Sequence, residues 1–215
     1  MSFLNVEVNY VCSLGPLCHT ANILKRNDIK LCSYPFDWIF SNTDIISHCV
    51  EDDFKIFLDK SYYKELGDWQ CAHTHYHPCM FNHHNPLNHE PNYSYFKRCV
   101  NRFKDLIKKP EHKLFIMTFL NMGEFDENFK NSIKDFKQKF DKHVSNYTLL
   151  VIFHRPYMSQ HHEFTLHENI HFLELHATSH SGGVFFMNDE DNVYLDNILH
   201  SAYKFNIKND LSTNE

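Results

Sequence analysis

Apolar positions along the 215-residue chain follow two rhythms. Residues 5–12 (NVEVNYVC) alternate and are rich in β-branched side chains, which predicts an opening strand. Two later runs, KLFIMTFL at 113–120 and TLLVIF at 148–153, are apolar without alternation, the mark of strands covered on both faces. IHFLEL at 170–175 and GVFFM at 183–187 predict two shorter strands. Helical spacing appears at 16–26, where Pro16 suits a first helical position, and from Asn42 or Thr43 as cap through His48. It recurs at 52–63, 93–108, 124–143 and 189–205. Phe125, Phe129, Ile133, Phe136 and Phe140 give the 124–143 segment one apolar stripe. Residues 67–92 carry His, Pro, Asn and Cys with no helical period, and read as a long irregular insertion or lid.

Helix and buried strand alternate through the later half. That order predicts an α/β domain of three layers, with a largely parallel central sheet flanked by helices. The domain should span 1–207, followed by a polar, frayed tail at 208–215. The longest apolar runs are far too short to cross a membrane.

Composition narrows the chemistry. Only 5 residues are Gly, and neither GxGxxG nor GxxxxGK[ST] occurs. A net charge of −6 argues against a nucleic-acid-binding face, so no nucleic-acid and no membrane partner is expected. Seven cysteines, an odd number in a long chain whose residues 1–10 lack a signal-peptide pattern, favour a reducing cytoplasm over a disulfide framework. Ala is scarce while Phe, Asn, Lys and Ile abound, as in an AT-rich coding genome. If that genome is viral, the compartment would be the host cytoplasm, and a non-enzymatic host-interaction protein becomes an alternative function.

The strongest local signal is strand, tight turn, then Cys18 in the first turn of a helix. Unpaired amides and the positive end of the helix dipole favour a thiolate there, the reactive form of cysteine. The bland reading is a small buried hydrophobe. His19 points about 100° away around the helix and makes a poor base for it. His83, His84 and His154 are candidate bases or substrate contacts, and His176 and His180 share the strand-end logic of His154. Asp37 is either an orienting carboxylate or a turn contact. Trp38 and Phe36 read as core. Arg98 and Arg102, one helical turn apart, are placed to clamp an anionic group or to form surface ion pairs. Asp196 and His200 could pair on the last helix. Ser13, after the first strand, keeps an esterase or acyltransferase as a minor alternative.

Six histidines lie between His73 and His89. Cys71, His73, His75, His77 and Cys79 would share one face of an extended strand, and are candidate metal ligands. The spacing matches no standard zinc pattern, so no cofactor is predicted and zinc is held as a minor alternative.

SLGPLCHTANILKR at 13–26 followed by SYPFDWIF at 33–40 resembles a family of unknown function described as papain-like cysteine peptidases. FNHHNP at 81–86 and YFKRCVNRF at 95–103 look like that family's later histidine-bearing and Arg-rich segments, and the likeness covers about residues 8–120. The resemblance implies Cys18 as nucleophile and His84 or His83 as base; Asp37 would orient that base, and backbone amides near Gly15–Cys18 would hold the oxyanion. Ser13, Gly15, Arg98, Arg102 and His154 would contact substrate, a peptide, acyl or glycan group. It also implies an α+β papain-like fold, the alternative to the parallel sheet. The remaining alternative is a group-transfer enzyme or a sugar- or phosphate-binding protein built on Arg98 and Arg102, with Cys18 structural.

Overall fold

The computed structural model describes residue 4 and residues 6–210. In chain order the elements are β1 (Val6–Val8), β2 (Tyr10–Ser13), α1 (Cys18–Arg26), α2 (Thr43–Glu51), α3 (Lys55–Leu58), β3 (Tyr63–Gly67), β4 (Gln70–His73) and β5 (His77–Phe81). Then come α4 (Glu90–Lys108), β6 (Lys113–Phe119), α5 (Glu127–Phe140), β7 (Tyr147–Arg155), β8 (His161–His167), β9 (Ile170–His176), α6 (Asp189–Ala202) and β10 (Tyr203–Phe205). The central sheet has the order β2-β6-β7-β9-β8. Its first four strands run parallel, and only the edge strand β8 is antiparallel. This is the three-layer α/β arrangement that the alternation predicts, and it corrects the α+β papain-like alternative.

The unbroken apolar runs reflect two buried faces. Phe115, Met117, Leu149, Val151 and Phe172 point to one side, where they meet Val100 and Phe103 of α4 and Phe136 and Phe140 of α5. Leu114, Ile116, Leu150, Ile152 and Leu173 point to the other, where they meet Ile23 and Leu24 of α1 and Leu195 and Leu199 of α6. The period of two along each strand divides its side chains between these faces.

Several expectations change. The opening strand divides in two: β1 pairs with β10, while β2 pairs with β6; residue 5 lies outside the described residues. Pro16 precedes the helix, whose first residue is Cys18. The expected helix at 52–63 shrinks to α3 and a short 3-10 turn at Lys60–Tyr62. Asp53 and Phe54 take left-handed φ angles of 58° and 59°, breaking the helix there while the Phe54 and Phe57 rings are buried. The segment 67–92 is only partly irregular: β4 and β5 join β3 in a separate antiparallel sheet and α4 begins at Glu90, which leaves 82–89 without regular structure. β8 escaped the sequence reading because its residues, HHEFTLH, sit at a mostly exposed edge. Residues 183–187 form no strand; they belong to a strap that makes a single bridge, Ser181 to Phe186. The last helix ends at Ala202, and 203–205 become β10. In the expected frayed tail, Lys208 and Asp210 are tied to Glu111 and Lys109 at 2.7 and 2.9 Å; residues 211–215 lie outside the described residues. Among the described residues no helix is long and apolar enough to cross a membrane.

Candidate active site

The end of β2 feeds α1 through a turn fixed by its own backbone. Gly15 has φ +85°. Its carbonyl accepts hydrogen bonds from Thr20 Oγ1 at 2.9 Å and the Thr118 amide at 3.1 Å. Ser41 donates through Oγ to the Leu14 carbonyl and through its amide to the Pro16 carbonyl, both at 3.2 Å. This ties the segment after PFDW to the turn. A Cβ on Gly15 would collide with Ser41 Oγ. Gly15→Ala should therefore lose about 2–4 kcal/mol in urea unfolding. Ser41→Ala in the same chain should restore only part of that loss, because it relieves the collision and leaves the left-handed backbone strained.

Leu17 caps α1 without a side-chain hydrogen bond. Cys18 sits there, half-buried, and lines a cleft of about 370 Å³. Leu17, Trp38, Ile39 and Phe40 line it with Cys18, Asn82 and His83 stand among them, and Gly182, Gly183 and Val184 complete it. The Cys18 thiol pKa lies above its ordinary 9.0: burial raises it, its own backbone N–H partly offsets this, and the Asp37 charge adds to the rise. This corrects the expectation of a preformed thiolate. The helix start is present, but burial outweighs it.

Of the expected site residues, the cleft brings together Cys18 and His83. His84 turns away: its ring stacks on Tyr95 at 5.1 Å, and its Nδ1 is buried. Burial lowers its pKa. Asp37 is fully buried, with Oδ2 2.7 Å from Lys30 Nζ and accepting the Tyr34 amide at 2.9 Å. It neutralises a buried lysine and closes the 34–37 turn, which places Trp38, rather than orienting an imidazole. Ser13 is sealed, its hydroxyl accepting the Gly15 amide at 3.3 Å, so it braces the turn instead of meeting substrate. Gly15 likewise shapes the turn from within. Arg98 and Arg102 are half-buried on α4 and do not line the cleft. Arg102 lies where its charge lowers the pKa of Cys32 and Cys99 against the larger effect of burial.

His154 is fully buried, accepting the Asn121 amide through Nδ1 at 3.2 Å and donating through Nε2 to the Ser179 carbonyl at 3.2 Å. It fastens the strap and does not reach the cleft. His19 is also sealed, 2.7 Å from Ser181 Oγ, and burial pushes its pKa down to about 3. His176 pairs with Glu174 at 3.0 Å, and His180 meets the Tyr157 hydroxyl at 3.1 Å. Asp196 binds Arg26 through both oxygens at 2.7 Å, not His200.

The five candidate metal ligands do not share one strand face. Cys71 and His73 lie on β4, His75 in the turn, and His77 and Cys79 on β5. His73 faces His77 across the hairpin, while Cys71 is buried and Cys79 exposed. Among the described residues no group of three or more His, Cys, Asp or Glu side chains is arranged to hold a metal ion.

The sequence reading missed Trp38, Ile39, Phe40, Asn82 and the 182–184 loop as cleft residues. The aromatic PFDWIF run was the one visible signal for the first three; the loop gave only its paired glycines.

The fold and the cleft together define a largely parallel α/β protein in which a cysteine at a helix start shares a cleft with a histidine-bearing loop. Residues 9–156 match a family model described as "Putative papain-like cysteine peptidase (DUF1796)", more than half of the chain, and the chain belongs to that family. No curated protein and no solved structure matches it.

Proposed function

We propose that this protein is a cysteine-dependent hydrolase or acyl-transfer enzyme in which Cys18 is the nucleophile and His83 its proton acceptor. The observation that carries the reading is the shared cleft of Cys18 and His83 at the uncapped start of α1. Family membership supports it independently. Because burial keeps the thiol protonated at rest, the proton leaves as the bond forms. Cys18 Sγ bonds to the acyl carbon while its proton passes to the His83 imidazole, and the carbonyl π pair moves onto oxygen beside the free amides of α1. The intermediate collapses, expelling the leaving group, which takes the proton from the imidazolium. Water, or another acceptor hydroxyl or amine, then attacks the thioester while imidazole removes its proton. The acyl product departs, and Sγ regains a proton.

The test is acyl-enzyme trapping with p-nitrophenyl acetate. The expected result is a burst of p-nitrophenolate stoichiometric with enzyme and an acetyl group on Cys18 in the peptide map. His83→Ala should slow the burst about 10²–10⁴-fold. Acetylation at other residues with no burst would overturn the proposal. Alkylation of Cys18 by iodoacetamide should still be accelerating beyond pH 9, since its thiol pKa is raised above 9.0.

A further inference from the structure

Gly182, Gly183 and Val184 of the cleft wall belong to a strap, residues 177–188, between β9 and α6. It lies outside the segment 9–156 that the family model matches. β9 is three strands away from β2 in the sheet. To reach Cys18 the strap must therefore cross the carboxyl ends of β7 and β6. It is fastened along the way. Asn121 holds Ser181 through both its amide and its carbonyl, at 2.8 and 3.0 Å, and His19 holds the Ser181 hydroxyl. Asn192 makes the same pair of bonds to Phe186, both at 3.0 Å. At the tip, Gly183 donates its amide to Ser181 Oγ at 3.0 Å, and Asn22 donates to the Val184 carbonyl at 3.1 Å. The cleft wall is thus preformed.

Its character is apolar. Leu17, Trp38, Ile39, Phe40 and Val184 all line it, and none of the described lining residues is Asp, Glu, Lys or Arg. Val184 and Phe185 remain 37% and 48% exposed at the tip, so apolar surface stays in contact with water around an open cleft. A concave apolar wall with a few polar groups at one end is the usual form of a small-ligand site. A volume of about 370 Å³ falls within the size range of small-ligand sites.

We propose that the cleft selects an acyl group bearing an uncharged, apolar substituent, and that the 182–184 tip of the strap is its specificity wall. The inference rests on the reading of Cys18 as the group that takes the acyl carbon. The substituent lies between the Trp38–Phe40 segment and Val184, and the carbonyl end faces Cys18, Asn82 and His83. A carboxylate or ammonium on the substituent would lose its hydration there with no side-chain partner of opposite charge.

Selectivity is read by alkylating Cys18 with iodoacetamide, N-hexyl iodoacetamide and iodoacetate, with the exposed Cys79 on β5 as internal reference. The hexyl reagent should modify Cys18 at least ten-fold faster than iodoacetamide once each rate is divided by that at Cys79. Its rate should saturate with concentration, and iodoacetate should be the slowest. Val184→Lys, at an exposed position, should remove most of the hexyl preference and speed iodoacetate. Identical reagent ratios at Cys18 and Cys79 would overturn the selection, and an unchanged hexyl preference in Val184→Lys would overturn the part given to the strap. Hexyl preference without any acyl-enzyme burst would leave the apolar site standing and remove the catalytic reading beneath it.

Discussion

Acid should begin to destabilise this protein well above the range in which its carboxylates titrate. His19 and His154 are fully buried and His171 is 6% exposed. Burial is the first cause of each shift, lowering their pKa values from 6.5 to about 3, about 4 and about 4. Each is neutral in the folded chain and makes hydrogen bonds that suit the neutral ring: His19 to Ser181, His154 to Asn121 and Ser179, and His171 to the Tyr203 hydroxyl at 2.8 Å. The sign follows from which state binds protons. Above about pH 6.5 both states are unprotonated at these sites and their contribution is constant. As pH falls through 6.5 the unfolded chain takes up protons that the folded chain refuses, and stability declines until the folded-state values near 3 and 4 are reached. Each histidine contributes a slope of up to about 1.4 kcal/mol per pH unit, so three give about 4. Asp37 opposes them, because burial raises its pKa, but it is one group against three. Two pH units then remove on the order of 8 kcal/mol, comparable to the whole stability of a typical domain. The urea midpoint should fall steeply from pH 6.5, with spontaneous unfolding near pH 4.5 by circular dichroism. His171→Phe should remove about a third of the slope that these three contribute. A midpoint constant from pH 7 to pH 5 would contradict the assignment.

The same residues show what can be read from a sequence. The sheet was legible because two-sided burial writes itself into runs such as LFIM and LLVIF, and because α4 and α5 carry a 3.6-residue stripe. A helix with Cys18 in its first turn was legible from the strand and turn before it, although it starts two residues later than Pro16 suggested. The strap was not, because its position depends on Asn121 and His154, both distant in sequence, as well as on the nearby Asn192. The histidine-rich segment misled for a related cause: a hairpin turn at 74–76 puts residues of equal parity on two strands rather than one. Between adjacent histidines, sequence could not decide which lines the cleft with Cys18. Packing separates them: His84 stacks on Tyr95, while His83 is exposed and lines the cleft.

Asp37→Ala should cost about 3–5 kcal/mol in stability, the loss expected when one partner of a buried ion pair is removed. Its side chain is 1% exposed and that of Lys30 is 9% exposed, with 2.7 Å between Nζ and Oδ2. Burial raises the Asp37 pKa, while the Lys30 charge and hydrogen bond and the Tyr34 amide pull it down. The carboxylate therefore depends on its lysine, and the lysine depends on it. With Asp37 gone, Lys30 keeps the Cys32 carbonyl at 2.6 Å and the Ser33 hydroxyl at 3.1 Å but has lost its counter-charge. Lys30→Met strands the carboxylate in turn. If the pair acts as a unit, Lys30→Met with Asp37→Leu will cost much less than the two single losses added, because neither charge is left alone in the core. A carboxylate whose task was to orient the base would behave differently: Asp37→Ala would leave the urea midpoint near its original value and slow the acyl-enzyme burst. The buried pair predicts a large stability loss, and Trp38, next in the chain, should shift enough to weaken the hexyl preference at Cys18. The aspartate of PFDW is thus a positioning residue whose effect on the cleft passes through the turn that it closes, and rescue by the double substitution separates that role from chemistry at the imidazole.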